Sequence, residues 1–229
     1  TGSENNAFGS LALANNTTGN KNNAFGKQAL EDNTTGANNV AFGHDVLREN
    51  TTASHNTGVG FQALIANTTG DRNVALGAQA LFSVVTHAAN TAIGYQALYN
   101  NTANSNTAIG AYCMDANTTG GDNCALGSQA LGANTTGSNN NAFGVSALIA
   151  NTTGARNCAY GTQALEANTT TNDHTAVGYR ALQSNTTGQN NTAVGSYALD
   201  ANTDGDNLTA IGAGALGANT TGGYNTACG

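Results

Sequence analysis

Residues 140–156 read N-N-A-F-G-V-S-A-L-I-A-N-T-T-G-A-R, and this segment recurs with small changes along the chain. It contains the unit Asn-x-Ala-φ-Gly, in which φ is usually apolar, and the unit ends at fourteen glycines from Gly9 to Gly229. Every interval between these glycines is 17 residues, except that Gly94 and Gly110 are 16 residues apart. The consensus is N-T-A-φ-G-x-x-A-L-x-A-N-T-T-G-x-x. Such a short fixed period is typical of repeat proteins, in which each unit packs mainly on its neighbours.

Two columns of the repeat are predicted to form the interior. The apolar column, written φ in the consensus, runs from Phe8 to Cys228 and varies in size. The column four residues after each glycine is Leu, except at Met114. The alanine before the apolar column must point away from it, because side chains alternate along a strand. We expect this alanine column to pack against a second surface, which is either another subunit or another wall of the same coil.

The repeat predicts an all-β fold. Its Asn-Asn and Thr-Thr-Gly steps disfavour helix, and the chain has no proline to interrupt strand pairing. We therefore predict a parallel β-solenoid (β-roll) of about thirteen 17-residue coils, each with two or three short strands. The segment Gly-x-Gln-Ala-Leu is compatible with one helical turn instead. Residues 1–229 are predicted to form a single continuous repeat domain, which we interpret as a segment of a longer repeat array.

Asparagine recurs twice per coil and is expected to form hydrogen-bonded ladders at the corners. Ten of these asparagines begin Asn-Thr-Thr triplets, which also match the acceptor pattern for N-glycosylation. A corner ladder needs the same residues, so the ladder is the preferred interpretation and glycans remain the alternative.

Composition excludes several classes of partner. Only 8% of the residues are charged and 39% are hydrophobic, so a neutral surface covers a thin core. The net charge is −7, and the six Lys and Arg residues form no basic run. A nucleic-acid partner is therefore not expected. No apolar stretch is long enough to span a bilayer, so direct membrane insertion is not expected either.

No pattern of catalytic or metal-ligating residues is found in the sequence. The four histidines lie in four different columns, and Glu31 and Asp115 share a column without ever meeting an acid in an adjacent coil. Phosphate-binding glycine loops, HExxH and nucleophile elbows do not occur. We therefore predict that the chain is not an enzyme and has no catalytic, cofactor-binding or metal-binding residues.

Cysteine replaces a small or apolar residue at each of four positions, Cys113, Cys124, Cys158 and Cys228. Cys124 and Cys158 lie two coils apart, roughly 10 Å at strand spacing, which is too far for a disulfide. We predict four free thiols, buried as small hydrophobes.

The repeat departs most from its consensus in coils four to six. Val84-Val85-Thr86-His87 replaces Asn-Thr-Thr-Gly, and the following coil is one residue short. Hydrophobic residues occupy predicted solvent-facing positions nearby. The candidate interaction patch consists of Phe61, Ile65, Phe82, Tyr95 and Tyr99. Exposed apolar residues of this kind mark a binding surface, whereas the alternatives are contact with a neighbouring subunit and tolerated surface hydrophobes.

The units Asn90–Gly94, Asn106–Gly110 and Asn191–Gly195 resemble the head repeats of trimeric autotransporter adhesins of the YadA type. They are also similar to repeats of trimeric phage tail fibres and bacterial surface fibres, and the resemblance covers the whole chain. It implies a left-handed parallel β-roll that is homotrimeric and acts in attachment outside the cell. The 17-residue repeat is longer than the typical head repeat of that family.

Together these observations predict an extracellular structural or adhesive fibre segment, at a cell surface or in a virion fibre. Its predicted partners are identical subunits, as a homotrimer or an end-to-end filament, and a host or surface receptor or a glycan. An ice-binding β-solenoid is the alternative function, because Thr follows the ladder asparagine in most repeats and would form a Thr ladder.

Overall fold

The computed structural model describes residues 2–229, and Thr1, where the predicted repeat domain begins, lies outside the described residues. The chain forms two compact units, Thr1–Thr118 and Thr119–Gly229. Within residues 2–229 no segment is helical, and each unit contains seven strands of three residues.

The strands recur at the glycine spacing. In the first unit they are β1 (Asn6–Phe8), β2 (Asn23–Phe25), β3 (Val40–Phe42), β4 (Thr57–Val59), β5 (Val74–Leu76), β6 (Thr91–Ile93) and β7 (Thr107–Ile109). In the second unit they are β8 (Cys124–Leu126), β9 (Asn141–Phe143), β10 (Cys158–Tyr160), β11 (Thr175–Val177), β12 (Thr192–Val194), β13 (Thr209–Ile211) and β14 (Thr226–Cys228).

Within each unit, every strand pairs in parallel with the next strand along the chain. Equivalent positions are in register, so that Ala24 pairs with Ala41 in the first unit and Ala176 pairs with Ala193 in the second. The short coil keeps this register, because Ala92 pairs with Ala108. The predicted all-β parallel solenoid of about thirteen 17-residue coils is therefore confirmed.

Each coil contains one strand, and the prediction of two or three was wrong. Three positions per coil adopt the left-handed conformation, and all of them except Gly214 are non-glycine residues. After β4 these are Gln62, Leu64 and Arg72, with backbone φ angles of 57°, 54° and 58°. Gly-x-Gln-Ala-Leu is thus a turn, neither strand nor helix. Left-handed backbone costs roughly 1–2 kcal/mol per non-glycine residue. Hydrogen bonds between coils offset this cost, such as Leu64 N–H to Ala80 O at 3.1 Å.

The Leu column lies inside the coils as predicted, but the apolar column does not. Leu47 and Leu64 are fully buried, and so are Ala41 and Ala75 of the alanine column. Phe42, in contrast, is 58% exposed. The placement of the apolar column in the interior was therefore wrong. The alanine column packs against the opposite wall of its own coil, not against another subunit.

The narrowness of the coil explains this inversion. Gly58 stands where other coils have alanine, and a Cβ added to it would lie 2.5 Å from Val46 Cγ1 and 3.7 Å from Leu47 Cδ1. The strand wall therefore faces the Leu column across a gap that admits only a methyl group. Larger side chains of the apolar column fit only on the outer side of the strand.

Both asparagine columns form the predicted ladders. Asn50 Nδ2 donates to Asn33 Oδ1 at 2.8 Å and to Ala53 O at 3.0 Å. In the second ladder, Asn39 N–H donates to Asn22 Oδ1 at 3.0 Å, while Asn39 Nδ2 donates to Ala53 O at 2.8 Å. These asparagines satisfy buried backbone groups at the corners, as interior polar side chains must.

Candidate interaction surfaces

The first candidate surface is the outer side of the strands, where the apolar column forms a continuous row in each unit. We call it the outer apolar row. In the first unit it consists of Phe8, Phe25, Phe42, Val59, Leu76, Ile93 and Ile109, and in the second of Leu126, Phe143, Tyr160, Val177, Val194, Ile211 and Cys228. Every member is exposed or half-buried.

Side chains of the outer apolar row pack on one another from coil to coil. The Phe25 and Phe42 ring centroids are 5.8 Å apart, and the Phe143 and Tyr160 rings stack at 4.6 Å with 4° between their planes. The adjacent outward column, at the first position of each strand, is Asn, Val, Thr or Cys. Only the apolar row keeps its hydrophobic character through every coil of both units, although water contacts it. Contiguous exposed apolar surface of this kind is typical of an interaction site.

The second candidate surface contains the predicted interaction patch, and its five residues differ in how far they are exposed. Phe61 and Tyr95 are exposed, at 49% and 45%. Phe82 and Tyr99 are half-buried, and their rings stack with centroids 4.8 Å apart and 8° between the planes. Ile65 is only 6% exposed, so its predicted position on the surface was wrong and it does not belong to the patch.

Amide side chains also lie on this surface, and they were not among the predicted site residues. Gln79 Nε2 donates to Gln62 Oε1 at 3.3 Å, and Gln96 Nε2 donates to Gln79 Oε1 at 2.9 Å. The three glutamines therefore form a ladder along successive coils of the first unit. The consensus Gly-x-Gln-Ala-Leu already placed them in one column, and that spacing was the available signal.

The amide column and the column of Phe82 and Tyr99 are surface neighbours. This follows from the coil of Gln28 and Glu31, which occupy the same two columns and are joined by a 2.8 Å hydrogen bond. On the other side, Tyr95 contacts Tyr112 edge to face, with ring centroids 5.3 Å apart. We call this surface the aromatic–amide patch; it consists of Phe61, Gln62, Gln79, Phe82, Tyr95, Gln96, Tyr99 and Tyr112.

A buried histidine interrupts one asparagine ladder in the second unit. His174 replaces the ladder asparagine, and its Nδ1 accepts the Asn191 N–H at 3.2 Å. Its Nε2 lies 2.9 Å from the hydroxyl of Thr171, which in turn donates to Asn168 Oδ1. The neutral ring therefore carries its proton on Nε2. Burial lowers the pKa of His174 to about 4, which keeps the imidazole uncharged.

The remaining titratable groups do not converge on a shared site. His44 Nδ1 contacts Asp45 Oδ2 at 2.9 Å, and Arg156 pairs with Asp173 at 2.7 Å on the surface. Among residues 2–229, no group of three or more His, Cys, Asp and Glu side chains is arranged to hold a metal ion.

None of the four cysteines is in a disulfide, as predicted, but only Cys113 is buried as predicted. Cys124 and Cys158 are half-exposed because they occupy the outward first position of their strands, and Cys228 is exposed in the outer apolar row. Partial burial raises the pKa of the Cys124 and Cys158 thiols. The prediction of buried thiols was therefore wrong for three of the four.

The Asn-Thr-Thr asparagines are unsuitable for glycans in the folded chain. Asn33 and Asn50 are fully buried, and Asn50 Nδ2, the atom that would carry the sugar, already donates two hydrogen bonds. The ladder interpretation of these triplets is the one that the interior of the fold supports.

Comparison with protein-family models, with curated proteins and with solved structures finds no match. The part of the chain that the structure describes, residues 2–229, contains no helix long and apolar enough to cross a membrane.

Proposed function

We propose that this chain is a non-catalytic structural or adhesive fibre segment that packs laterally against identical copies through the outer apolar row. The observation that carries the proposal is the exposure of a hydrophobic residue in every coil of that row. Fourteen outward-facing positions carry apolar side chains on a surface with few charges. This pattern favours burial of the row against a partner.

A second copy of the chain is the partner that fits the row best. Its apolar residues recur once per coil, and any identical copy carries the same rise between coils. Two such rows therefore stay in step along their length, so that each side chain meets an equivalent gap. A partner without this period would match the row at only a few positions. An end-to-end filament is the other proposed arrangement of identical copies.

The resemblance to adhesin head repeats supports three further parts of the proposal. These are a homotrimer, a location outside the cell or on a virion, and a role in attaching to a host receptor, another surface or a glycan. The neutral exterior is consistent with that setting, since it offers neither a basic surface for nucleic acid nor a lipid-spanning element.

The test is the oligomeric state of the purified chain by size-exclusion chromatography with light scattering. The wild type is expected to be larger than a monomer, and Phe42→Glu with Ile211→Glu is expected to dissociate it, because both carboxylates would be buried without partners. Thr69→Asp is the matched control, since the same column already carries Asp204. A monomeric wild type at high concentration, or a double variant that assembles normally, contradicts the proposal.

Ice binding is the second candidate function, and one observation favours it. Four successive strands of the second unit present an outward Thr, with β-branched or small residues beside them: Thr175, Thr192, Thr209 and Thr226. The corner threonines are less suited, because Thr34 Oγ1 already donates to Thr51 O at 2.9 Å. An ice-recrystallisation assay tests this function, with Thr192→Lys as the variant expected to abolish it.

A further inference from the structure

We infer that the aromatic–amide patch of the first unit binds a neutral carbohydrate chain. This inference rests on the proposed adhesive function and names the ligand class of its attachment surface. It is carried by three features of the patch: an oriented amide ladder, aromatic rings on both sides of it, and the absence of charged residues from residues 73–114, which contain most of the patch.

The amide ladder supplies hydrogen-bonding groups in a fixed orientation. Gln79 donates to Gln62 and accepts from Gln96, so the oxygen and nitrogen ends of its amide cannot exchange without breaking both bonds. Each amide has two N–H groups and two acceptor lone pairs. One donor and one acceptor of Gln79 therefore remain for a ligand. A neighbouring pair of sugar hydroxyls needs one of each.

Aromatic rings flank these amides in adjoining columns. Phe61 and Tyr95 are 49% and 45% exposed in one adjoining column, and Tyr99 stacks on Phe82 in the other. Tyr112, 41% exposed, continues the amide column itself in the coil after Gln96. Aromatic side chains combine a large apolar area with few rotatable bonds, so they contact a ligand at low entropic cost. The C–H faces of a pyranose ring match such rings, while its hydroxyls match the amides.

The absence of charge determines which ligand fits. Residues 73–114, which include every residue of the patch except Phe61 and Gln62, contain no Asp, Glu, Lys or Arg, although the chain has 19 such residues, six basic and 13 acidic. No Lys or Arg is present in this segment to pair with an acidic polysaccharide. An apolar protein surface would leave the remaining donors and acceptors of the amides without hydrogen-bond partners. A neutral polyhydroxylated chain leaves neither kind of group unsatisfied.

The experiment measures binding of the full chain to immobilised oligosaccharides. One set consists of neutral oligomers of glucose, galactose, mannose and N-acetylglucosamine, and a second set carries uronic acid or sulfate groups. Two variants test the patch. Gln79→Asn shortens one amide while keeping a residue that tolerates the left-handed backbone at that position. Tyr95→Ala introduces the residue that Ala78 and Ala111 already show in the same column.

The second unit provides matched controls. Tyr179 and Tyr197 form the same edge-to-face pair, with centroids 5.3 Å apart, and Gln163 occupies the amide column. Arg180 lies over the Tyr179 ring at 5.1 Å, so this equivalent surface is charged and has no glutamine ladder. Tyr179→Ala and Gln163→Asn should leave binding unchanged.

The wild type is expected to bind at least one neutral oligosaccharide and to prefer the neutral set. Gln79→Asn and Tyr95→Ala should each weaken that binding about tenfold, the effect of one lost hydrogen bond or ring contact. Binding of no glycan, preference for the acidic set, or equal losses in the control variants would overturn the inference.

Light scattering on the same samples separates this inference from the proposed fibre assembly. If the chain assembles but binds no neutral glycan, the carbohydrate inference is wrong and the fibre proposal stands. If the chain is monomeric but binds neutral glycans through Gln79 and Tyr95, the fibre proposal is wrong and the carbohydrate inference stands.

Discussion

Among the places in the interior that depart from the repeat, two consist of paired substitutions, one in each unit, and they compensate in different ways. In the first unit, Val46 replaces an alanine and Gly58 replaces the alanine that faces it. In the second unit, His174 replaces a ladder asparagine and Thr171 replaces the corner glycine three residues earlier. The first pair conserves volume, whereas the second conserves hydrogen bonding.

The comparison shows what the coil interior requires. At Gly58 the wall is so close to Val46 that even one methyl group must be removed to make room. At His174 the ring has different hydrogen-bonding groups from an amide, and the Thr171 hydroxyl supplies the acceptor that its Nε2–H needs. In both pairs the second substitution fits the first, because close-packed cores do not relax freely around single changes.

The largest expected effect is a loss of stability in acid that originates at His174. Its pKa is about 4 in the folded chain and 6.5 in the unfolded chain, so the unfolded chain binds the proton first as the pH falls. The stability that the folded chain gains by keeping His174 neutral is fully present above pH 6.5 and is lost as the pH falls towards 4. At pH 4.5 the loss amounts to about 2–3 kcal/mol of unfolding free energy.

Denaturant unfolding at pH 7 and pH 4.5 measures this effect. The double variant His174→Asn with Thr171→Gly restores the consensus at both positions and serves as the reference, because all other titrating groups are common to both chains. The wild type should lose about 2–3 kcal/mol more than the double variant. Equal losses would show that His174 is not held neutral.

The next effect concerns the volume-matched pair. Gly58→Ala places a Cβ 2.5 Å from Val46 Cγ1, and overpacking of this kind destabilises a core by about 1–3 kcal/mol. Val46→Ala should recover most of that loss when combined with Gly58→Ala, since the double variant has the alanine pair of the other coils. A double-mutant cycle by thermal unfolding measures the coupling. Additive losses would mean that the two residues are not matched.

The period, the parallel register and the asparagine ladders could be predicted from the sequence, because each depends on spacing alone. The side of the strand that faces inward could not, because hydrophobicity favoured Phe42 over Ala41 for the interior. The decisive quantity was the width of the coil, which the Leu column on the opposite wall limits to a methyl group. Width depends on turn geometry, including left-handed residues such as Leu64 that no local propensity predicts.

The exposure of residues at the candidate surfaces could not be predicted from the sequence either. Ile65 shares a column with acidic residues and so was predicted to face solvent, yet it is buried. Two further members of the patch, the half-buried Gln79 and the exposed Tyr112, were missed because a hydrogen-bonded ladder and an edge-to-face ring pair depend on side-chain conformations. A column in the repeat fixes where a residue lies along the coil, but its exposure also depends on the residues in the coils above and below.

The smallest expected effect tests whether the Thr171 hydroxyl matters to its histidine partner. Thr171→Val keeps the shape of the side chain but removes the group that joins His174 Nε2 to Asn168 Oδ1, leaving the buried Nε2–H without its acceptor. The expected cost is about 1–2 kcal/mol at pH 7, measured by denaturant unfolding. Thr170→Val is the matched control, since Thr170 is exposed and should change stability by less than about 0.5 kcal/mol. If both variants lose the same amount, the Thr171–His174 pair does not compensate through hydrogen bonding, and only the Val46–Gly58 pair remains as a matched substitution.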